Sequence, residues 1–72
     1  MTNKNVFDLD SIGKNIKQAR IENGFTREQF SELTEVSTKM VYNWEEGLNK
    51  PTLERFVLIC HVLGKSMDSI AQ

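Results

Sequence analysis

Apolar residues recur at helical spacing along most of this chain, and hydroxyl residues or glycines interrupt them at regular intervals. The first helical face is formed by Ile12, Ile16 and Ala19. Asp10 or Ser11 can cap the start of this helix, and Asn23-Gly24 ends it, because glycine readily adopts the left-handed backbone that follows a helix. The sequence contains no strand-like alternation, internal repeat or low-complexity tract. The pattern therefore predicts an all-α fold.

A second helix is predicted to begin at Thr26 with a capping box, the sequence Thr-Arg-Glu-Gln of residues 26–29. In this motif the threonine hydroxyl accepts a hydrogen bond from an early backbone N–H, and the Gln29 side chain reaches back to the cap. Phe30 and Leu33 are expected to point inward, and the helix is expected to stop near Leu33.

A turn over residues 34–37 leads to a third predicted helix, which runs from about Thr38 to Glu46 and ends at Gly47. The positions that face the core or the seam between helices are Ser37, Met40, Val41 and Trp44. The positions that project the other way are Thr38, Lys39, Tyr42, Asn43 and Glu46. Two short helices with a tight turn between them, followed by a glycine stop, are typical of a domain that presents one helix to the DNA major groove.

Two more helices complete the predicted chain. Thr52 caps a fourth helix, which ends at Gly64, and Ser66 caps a short fifth helix from Met67 to about Ala71. The apolar residues of the fourth helix are Leu53, Phe56, Val57, Ile59, Cys60 and Leu63.

Seventy-two residues, 39% of them hydrophobic, suffice for one domain with one small core. Residues 1–9 are mostly polar and are assigned to a flexible N-terminal arm, which leaves residues 10–72 as the helix-turn-helix domain. Cys60 is the single cysteine and excludes an internal disulfide framework, and the single histidine, His61, cannot complete a metal site with it. We therefore expect no cofactor and no metal.

No apolar run approaches the roughly 20 residues of a membrane span, and the first residues lack a signal-peptide core. These features predict a reduced, cytoplasmic location and no membrane partner. The sequence also shows no nucleophile motif or other catalytic constellation, and no small-molecule ligand is evident, so we expect no enzyme. The net charge of −1 is low for a nucleic-acid binder and predicts weak non-specific binding.

A series of short motifs extends in order from Ile12 to Ile70. They are Ile12-Gly13, Ile16 with Arg20, residues 25–28, Val36-Ser37, Val41, Trp44-Glu45 with Gly47, residues 51–53, Leu63-Gly64 and residues 66–70. In this order and spacing they resemble the Cro/repressor-type (XRE-like) helix-turn-helix family of phage and bacterial transcriptional regulators. The resemblance implies a five-helix, lambda-repressor-like DNA-binding domain with its third helix in the major groove.

The resemblance also implies roles for individual residues. Arg20 is expected to form a partly buried, bidentate salt bridge with Glu45. The expected base-contacting residues are Thr38, Lys39, Tyr42 and Asn43. The expected phosphate-contacting residues are Thr26, Arg27, Ser37, Asn49 and Lys50. Asn43 can bind adenine through two hydrogen bonds, and Lys39 can donate to guanine.

This chain departs from the family pattern at three positions. Glu35 replaces a glycine in the turn, where a left-handed backbone costs a non-glycine residue about 1 kcal/mol. Arg27 stands where glutamine is usual and adds a charge that favours phosphate contact. Glu46 replaces a commonly polar or basic residue near the DNA-facing end of the third helix.

The pattern as a whole predicts a repressor that binds a pseudo-palindromic operator as a homodimer on double-stranded DNA, with recognition helices about 34 Å apart. Candidate residues for the dimer surface are Leu48, Phe56, Val57, Met67 and Ile70, and the sequence does not choose among surfaces. The alternative is a protein-interaction module on the same fold, such as an antirepressor or antitoxin-like partner. The net charge and Glu46 favour this alternative, whereas Arg27, Lys39 and Lys50 favour DNA.

Overall fold

The computed structural model describes residues 9–71, which form five α-helices joined by short turns. The helices are α1 (Leu9–Glu22), α2 (Arg27–Thr34), α3 (Thr38–Glu45), α4 (Leu53–Leu63) and α5 (Met67–Ala71). The predicted all-α, five-helix architecture is therefore confirmed. None of these helices in residues 9–71 is long and apolar enough to cross a membrane.

The start of α1 differs from the prediction. The helix already includes residue 9, so that Asp10 and Ser11 lie within it. A helix cap needs an extended backbone just outside the helix, so neither residue is the predicted cap. The arm predicted for residues 1–9 lies outside the described residues, except for Leu9, which belongs to α1.

The end of α2 also corrects the sequence interpretation. Leu33, predicted to face inward, is 46% exposed, and the helix continues to Thr34, which is fully buried. Thr34 follows Phe30 by four residues and so shares its buried helix face. Its hydroxyl can be buried because it donates to the Phe30 carbonyl oxygen at 2.7 Å.

Side-chain caps start α2, α3 and α4 at the predicted residues, Thr26, Ser37 and Thr52. The capping box at α2 is complete, since Thr26 Oγ1 accepts from the Gln29 backbone N–H at 3.0 Å and the Thr26 N–H donates to Gln29 Oε1 at 2.9 Å. These local hydrogen bonds define where each short helix begins.

The turn between α2 and α3 uses a left-handed residue that is not glycine. Glu35 has φ 62° and ψ 40°, and it is the one non-glycine residue with positive φ among residues 9–71. The turn therefore has the left-handed backbone considered for this position in the sequence analysis, at a strain on the order of 1 kcal/mol for a non-glycine residue. The Glu35 carboxylate lies 3.6 Å from Arg55 of α4, an exposed contact that contributes little stability.

All five helices contribute to one hydrophobic core. Its buried members are Ile12, Ile16, Ala19, Phe30, Val41, Trp44, Phe56, Ile59, Cys60, Leu63, Ile70 and Ala71. Trp44 and Cys60 are core residues, as the sequence predicted. Burial raises the pKa of the Cys60 thiol, which keeps it protonated and unreactive.

Helix α1 lies directly against the backbone of α3 at Gly13. A Cβ atom at this position would collide with the backbone carbonyl oxygen of Trp44 and would lie 2.9 Å from that of Glu45. Because both neighbours are backbone atoms, no side-chain rotation can relieve the collision. The absence of a side chain at Gly13 therefore sets the distance between the two helices.

A buried ion pair joins the same two helices. Arg20 Nε donates to Glu45 Oε2 at 2.6 Å, and Arg20 Nη2 donates to Glu45 Oε1 at 3.2 Å, which gives the two-bonded geometry expected from the sequence. The remaining Arg20 nitrogen, Nη1, donates to the Phe25 carbonyl oxygen at 2.8 Å. Arg20 therefore fixes both the α1–α3 contact and the chain just before α2.

Replacing Gly13 by alanine should destabilise the fold by about 2–3 kcal/mol, because α1 and α3 must separate to admit the methyl group. The measurement is the urea midpoint at unchanged slope. Gly24→Ala is the matched control, since a Cβ there meets nothing within 4 Å and only the left-handed backbone penalty of about 1 kcal/mol applies. Equal losses in the two variants would contradict the close approach at Gly13.

Glu45→Gln should lower the free energy of unfolding by about 3 kcal/mol, because it leaves a buried guanidinium without its counter-charge. Glu46→Gln changes the neighbouring residue, which is exposed, and should leave stability within about 0.5 kcal/mol of the parent. Chemical denaturation of both variants measures the difference. A Glu45→Gln protein as stable as Glu46→Gln would show that the pair does not hold the helices together.

Candidate nucleic-acid interface

The outward face of α3 carries the four residues predicted to contact bases. Lys39 and Tyr42 are exposed, and Thr38 and Asn43 are half-buried at the edges of this face. Val41 and Trp44 occupy the opposite face and are buried in the core. The structure thus brings the four predicted residues together on one helix whose other side is fixed by packing.

Two of these side chains differ in their hydrogen bonding. The Thr38 hydroxyl lies 3.4 Å from the Ser31 hydroxyl of α2, so its polar group is engaged within the protein and its methyl group remains for an apolar contact. Within residues 9–71, the Asn43 side-chain amide has no hydrogen-bond partner. Only the backbone of Asn43 is engaged, because its carbonyl oxygen accepts from the Leu48 backbone N–H at 2.9 Å. An unpaired amide next to an exposed lysine can serve as a base-reading group.

The predicted phosphate contacts lie at helix starts and in the loop after α3. Thr26, Ser37, Asn49 and Lys50 are exposed. At the start of α2, the Thr26 and Gln29 side chains each accept a hydrogen bond from the other residue's backbone N–H. Among the described residues, the backbone N–H groups of Arg27 and Glu28 have no acceptor. Free N–H groups at a helix start form an anion-binding site, here partly opposed by the Glu28 carboxylate.

Arg27 has a more complex position than the sequence predicted. Its Nε donates to Glu45 Oε1 at 3.0 Å, so the buried Glu45 carboxylate binds arginines from both α1 and α2. The Glu45 side chain is fully buried, whereas the Arg27 side chain is 33% exposed. Arg27 therefore has one end fixed inside the domain and its other guanidinium nitrogens nearer the surface.

The Arg27 guanidinium also covers the ring of Tyr42. Its central carbon lies 5.4 Å from the ring centroid, within the range of a cation–π interaction. Tyr42 remains 45% exposed. A continuous set of contacts thus runs from Arg20 through Glu45 and Arg27 to Tyr42, from the core to the outward face of α3.

Sequence reasoning missed both Arg27 contacts. Arg27 is separated from Glu45 by 18 positions, so no helical or turn spacing relates the two residues. The departure from glutamine at position 27 was visible, but it was interpreted as a phosphate contact alone. The Ser31–Thr38 contact was also missed, although both hydroxyl residues flank the turn.

The charges around this face are mixed. Lys39 and Lys50 form no ion pair within residues 9–71. The exposed Glu46 forms the C-terminal cap of α3, and Glu28 lies in the first turn of α2. The arginine–glutamate–arginine cluster carries one net positive charge, because a single carboxylate faces two guanidinium groups.

A second surface, here called the α4 groove, lies beside the loop before α4. It has a volume of about 370 Å³ and is lined by Ile12, Lys50, Pro51, Thr52, Leu53, Phe56 and Met67. Leu53 is 69% exposed at its rim, and Val57 follows one helical turn later. Of the five apolar residues considered for a dimer surface, Leu48, Val57 and Met67 are exposed, whereas Phe56 and Ile70 are buried in the core.

Comparison with known sequences agrees with this geometry. The helix-turn-helix family HTH_3 matches residues 16–70. Two uncharacterised HTH-type transcriptional regulators, from Rickettsia conorii and Rickettsia prowazekii, are 33% and 31% identical to this chain over 61 residues. Both alignments cover 83% of this chain, and they cover 49% and 47% of the two relatives. The chain therefore spans about half the length of the curated relatives it matches.

Solved structures show the same fold. The clp gene regulator ClgR from Corynebacterium glutamicum superposes with a TM-score of 0.83 at 22% identity, over 96% of this chain and 71% of that protein. The restriction-modification controller protein C.AhdI from Aeromonas hydrophila gives 0.81 at 19% identity, over 88% and 96% of the two chains. An HTH_3 family transcriptional regulator from Vibrio cholerae superposes with a TM-score of 0.78 at 26% identity, over 90% of this chain and 36% of that protein.

The family match and the regulator neighbours assign residues 16–70 to a helix-turn-helix domain of the kind found in transcriptional regulators. The family match extends over most of the chain, and the helix-turn-helix geometry of α2 and α3 agrees with it. The chain belongs to the helix-turn-helix family of Cro/repressor (XRE) type.

Proposed function

We propose that this chain is a sequence-specific DNA-binding transcriptional regulator in which α3 enters the major groove. The observation that carries the proposal is the outward face of α3, where Lys39 and the Asn43 amide lack partners within residues 9–71 while the opposite face is held by the core and by Glu45. Unpaired donors on a rigid helix can read base edges. Thr38 and Tyr42 complete the set of proposed base contacts.

Phosphate contacts would orient α3 in the groove. We assign them to Thr26 and Arg27 at the start of α2, to Ser37 at the start of α3, and to Asn49 and Lys50 in the following loop. Support comes from the acceptor-free N–H groups at the start of α2 and from the exposure of the loop residues. The two helix starts offer N–H groups, and Lys50 adds a cation without an internal partner in the described chain.

More specifically, we propose that the protein is a cytoplasmic homodimer. It would bind a pseudo-palindromic operator and repress transcription. The α4 groove supplies the candidate dimer surface, because Leu53 and Met67 expose apolar area there and the exposed Val57 follows Leu53 by one helical turn. A two-fold axis at this surface would pair each groove with its copy, as closed dimers require.

The second candidate function is a protein-interaction module of antirepressor or antitoxin-like type, with weak DNA binding. The exposed Glu46 at the end of α3 and Glu28 at the proposed phosphate site favour it, because both carboxylates would repel DNA. The net charge of −1 acts in the same direction.

Selection from random duplexes at two salt concentrations separates the two candidates. The regulator should enrich one palindromic motif. With Arg27 and Lys50 of both protomers neutralising about four phosphates, affinity should fall roughly a hundredfold between about 50 and about 200 mM salt. No enrichment at either concentration would leave the interaction module as the function.

Asn43→Ala should weaken binding to the selected motif by about 1–3 kcal/mol and relax the preference at one base position. Gln18→Ala changes an exposed amide on α1 and should leave both quantities unchanged. Titration against the motif and against its single-base variants provides the measurement. If Asn43→Ala weakens all duplexes by the same factor, Asn43 is not a base reader.

Leu53→Glu should convert the homodimer into a monomer, because two carboxylates would face each other across the two-fold axis. Ile21→Glu is the matched control, since Ile21 is 57% exposed on α1, away from the α4 groove. Light scattering coupled to size-exclusion chromatography measures both masses. A dimer that survives Leu53→Glu would assign the interface to another surface.

A further inference from the structure

We propose that Arg27 is a positioning residue for Tyr42, and that it sets the base preference of α3 in addition to any phosphate contact. This inference rests on the proposed DNA-binding function and assigns a specificity-determining role within the same surface. Arg27 reaches the outward face of α3 from α2, although α2 itself presents no proposed base reader.

The first step is the anchoring of the guanidinium. Arg27 Nε donates to Glu45 Oε1 at 3.0 Å, and that carboxylate is fully buried and already held by Arg20. One edge of the Arg27 guanidinium is therefore fixed to a rigid acceptor. The charged plane cannot rotate freely, unlike that of an exposed arginine with no partner.

The second step is the contact with the aromatic ring. The guanidinium carbon lies 5.4 Å from the Tyr42 ring centroid, so one ring face is covered by a cation that the core holds in place. Tyr42 is otherwise 45% exposed, and its hydroxyl has no hydrogen-bond partner within residues 9–71. The contact with Arg27 therefore restricts a ring that little else constrains.

The consequence concerns discrimination between base pairs. A tyrosine held in one orientation presents the same edge and hydroxyl to every duplex, and only duplexes with a complementary group are bound well. A mobile ring can adapt to several base pairs, which reduces the difference in affinity between them. Arg27 thus acts on sequence preference through Tyr42, whereas a contact with phosphate alone acts on all sequences equally.

Arg27→Lys is the decisive variant. Lysine keeps the positive charge for phosphate, but its single ammonium group cannot bind Glu45 and also lie flat over the ring. The test measures affinity for the selected motif and for each of its single-base variants. We expect discrimination to fall about threefold at the base position nearest Tyr42 and to be unchanged at the other positions.

Tyr42→Leu and the double variant Arg27→Lys/Tyr42→Leu complete a double-mutant cycle. Tyr42→Leu should lose discrimination at the same position, and adding Arg27→Lys should produce no further loss there, because the ring that Arg27 positions is already absent. Lys14→Arg is the matched control for a cation exchange at an exposed residue of α1 that has no proposed DNA contact, and it should keep the preference at every position. Urea unfolding of each variant confirms that the loss does not follow from reduced stability.

An unchanged base preference in Arg27→Lys, with all duplexes weakened alike, would overturn the inference and leave Arg27 as a phosphate ligand. The proposed function would survive that result, because the parent protein would still select its motif. A parent protein that selects no motif overturns the proposed function, and this inference with it.

A second measurement uses the protein without DNA. Tyr42 is the single tyrosine of the chain, and the nuclear magnetic resonance signals of the Arg27 side chain should be shifted upfield by its ring current. The shift should disappear in Tyr42→Leu and persist in Lys14→Arg. Arg27 signals that are identical in the parent and in Tyr42→Leu would refute the contact itself, whatever the outcome with DNA.

Discussion

The orientation of α3 depends on one buried carboxylate. Glu45 lies at the end of α3 and binds Arg20 of α1 and Arg27 of α2, so a single side chain connects three helices. Removing a carboxylate from water is unfavourable, and two guanidinium groups with well-formed hydrogen bonds offset that penalty. Such a cluster adds little net stability compared with apolar packing, but its hydrogen bonds tie α3 to both α1 and α2. The outward face of α3 is therefore oriented by the contacts of Glu45.

Helix caps determine where α2 and α3 begin, and packing against the core stabilises them. Helices α2 and α3 contain eight residues each, too few to be stable alone in water. Caps at Thr26 and Ser37 define where they begin, and the core residues Phe30, Val41 and Trp44 hold them in place. The left-handed Glu35 shows the strength of this packing, because the turn keeps its shape despite a residue that disfavours it.

Charge placement, more than net charge, distinguishes the two candidate functions. The chain carries a net charge of −1, yet Arg27, Lys39 and Lys50 lie on or beside the α2–α3 surface. Glu28 and Glu46 lie near them and reduce the local positive potential. A surface of this kind favours recognition through specific hydrogen bonds over strong non-specific attraction to DNA. If the proposed function holds, the arrangement of a few side chains such as Tyr42 will have a large influence on which duplex is bound.

The sequence by itself determined the five helices, the caps of α2, α3 and α4, most of the core and, through the family resemblance, the pairing of Arg20 with Glu45. These features depend on local spacing, on cap chemistry or on a family motif, and each of these can be recognised in the amino-acid sequence alone. The exposure of Leu33, the burial of Thr34 and Phe56, and the contacts of Arg27 with Glu45 and Tyr42 were decided by the tertiary structure. Each depends on how a neighbouring helix lies against the residue. For α1, α2 and α3, that orientation depends on the close approach at Gly13 and on the shared carboxylate of Glu45, which join residues far apart in the chain.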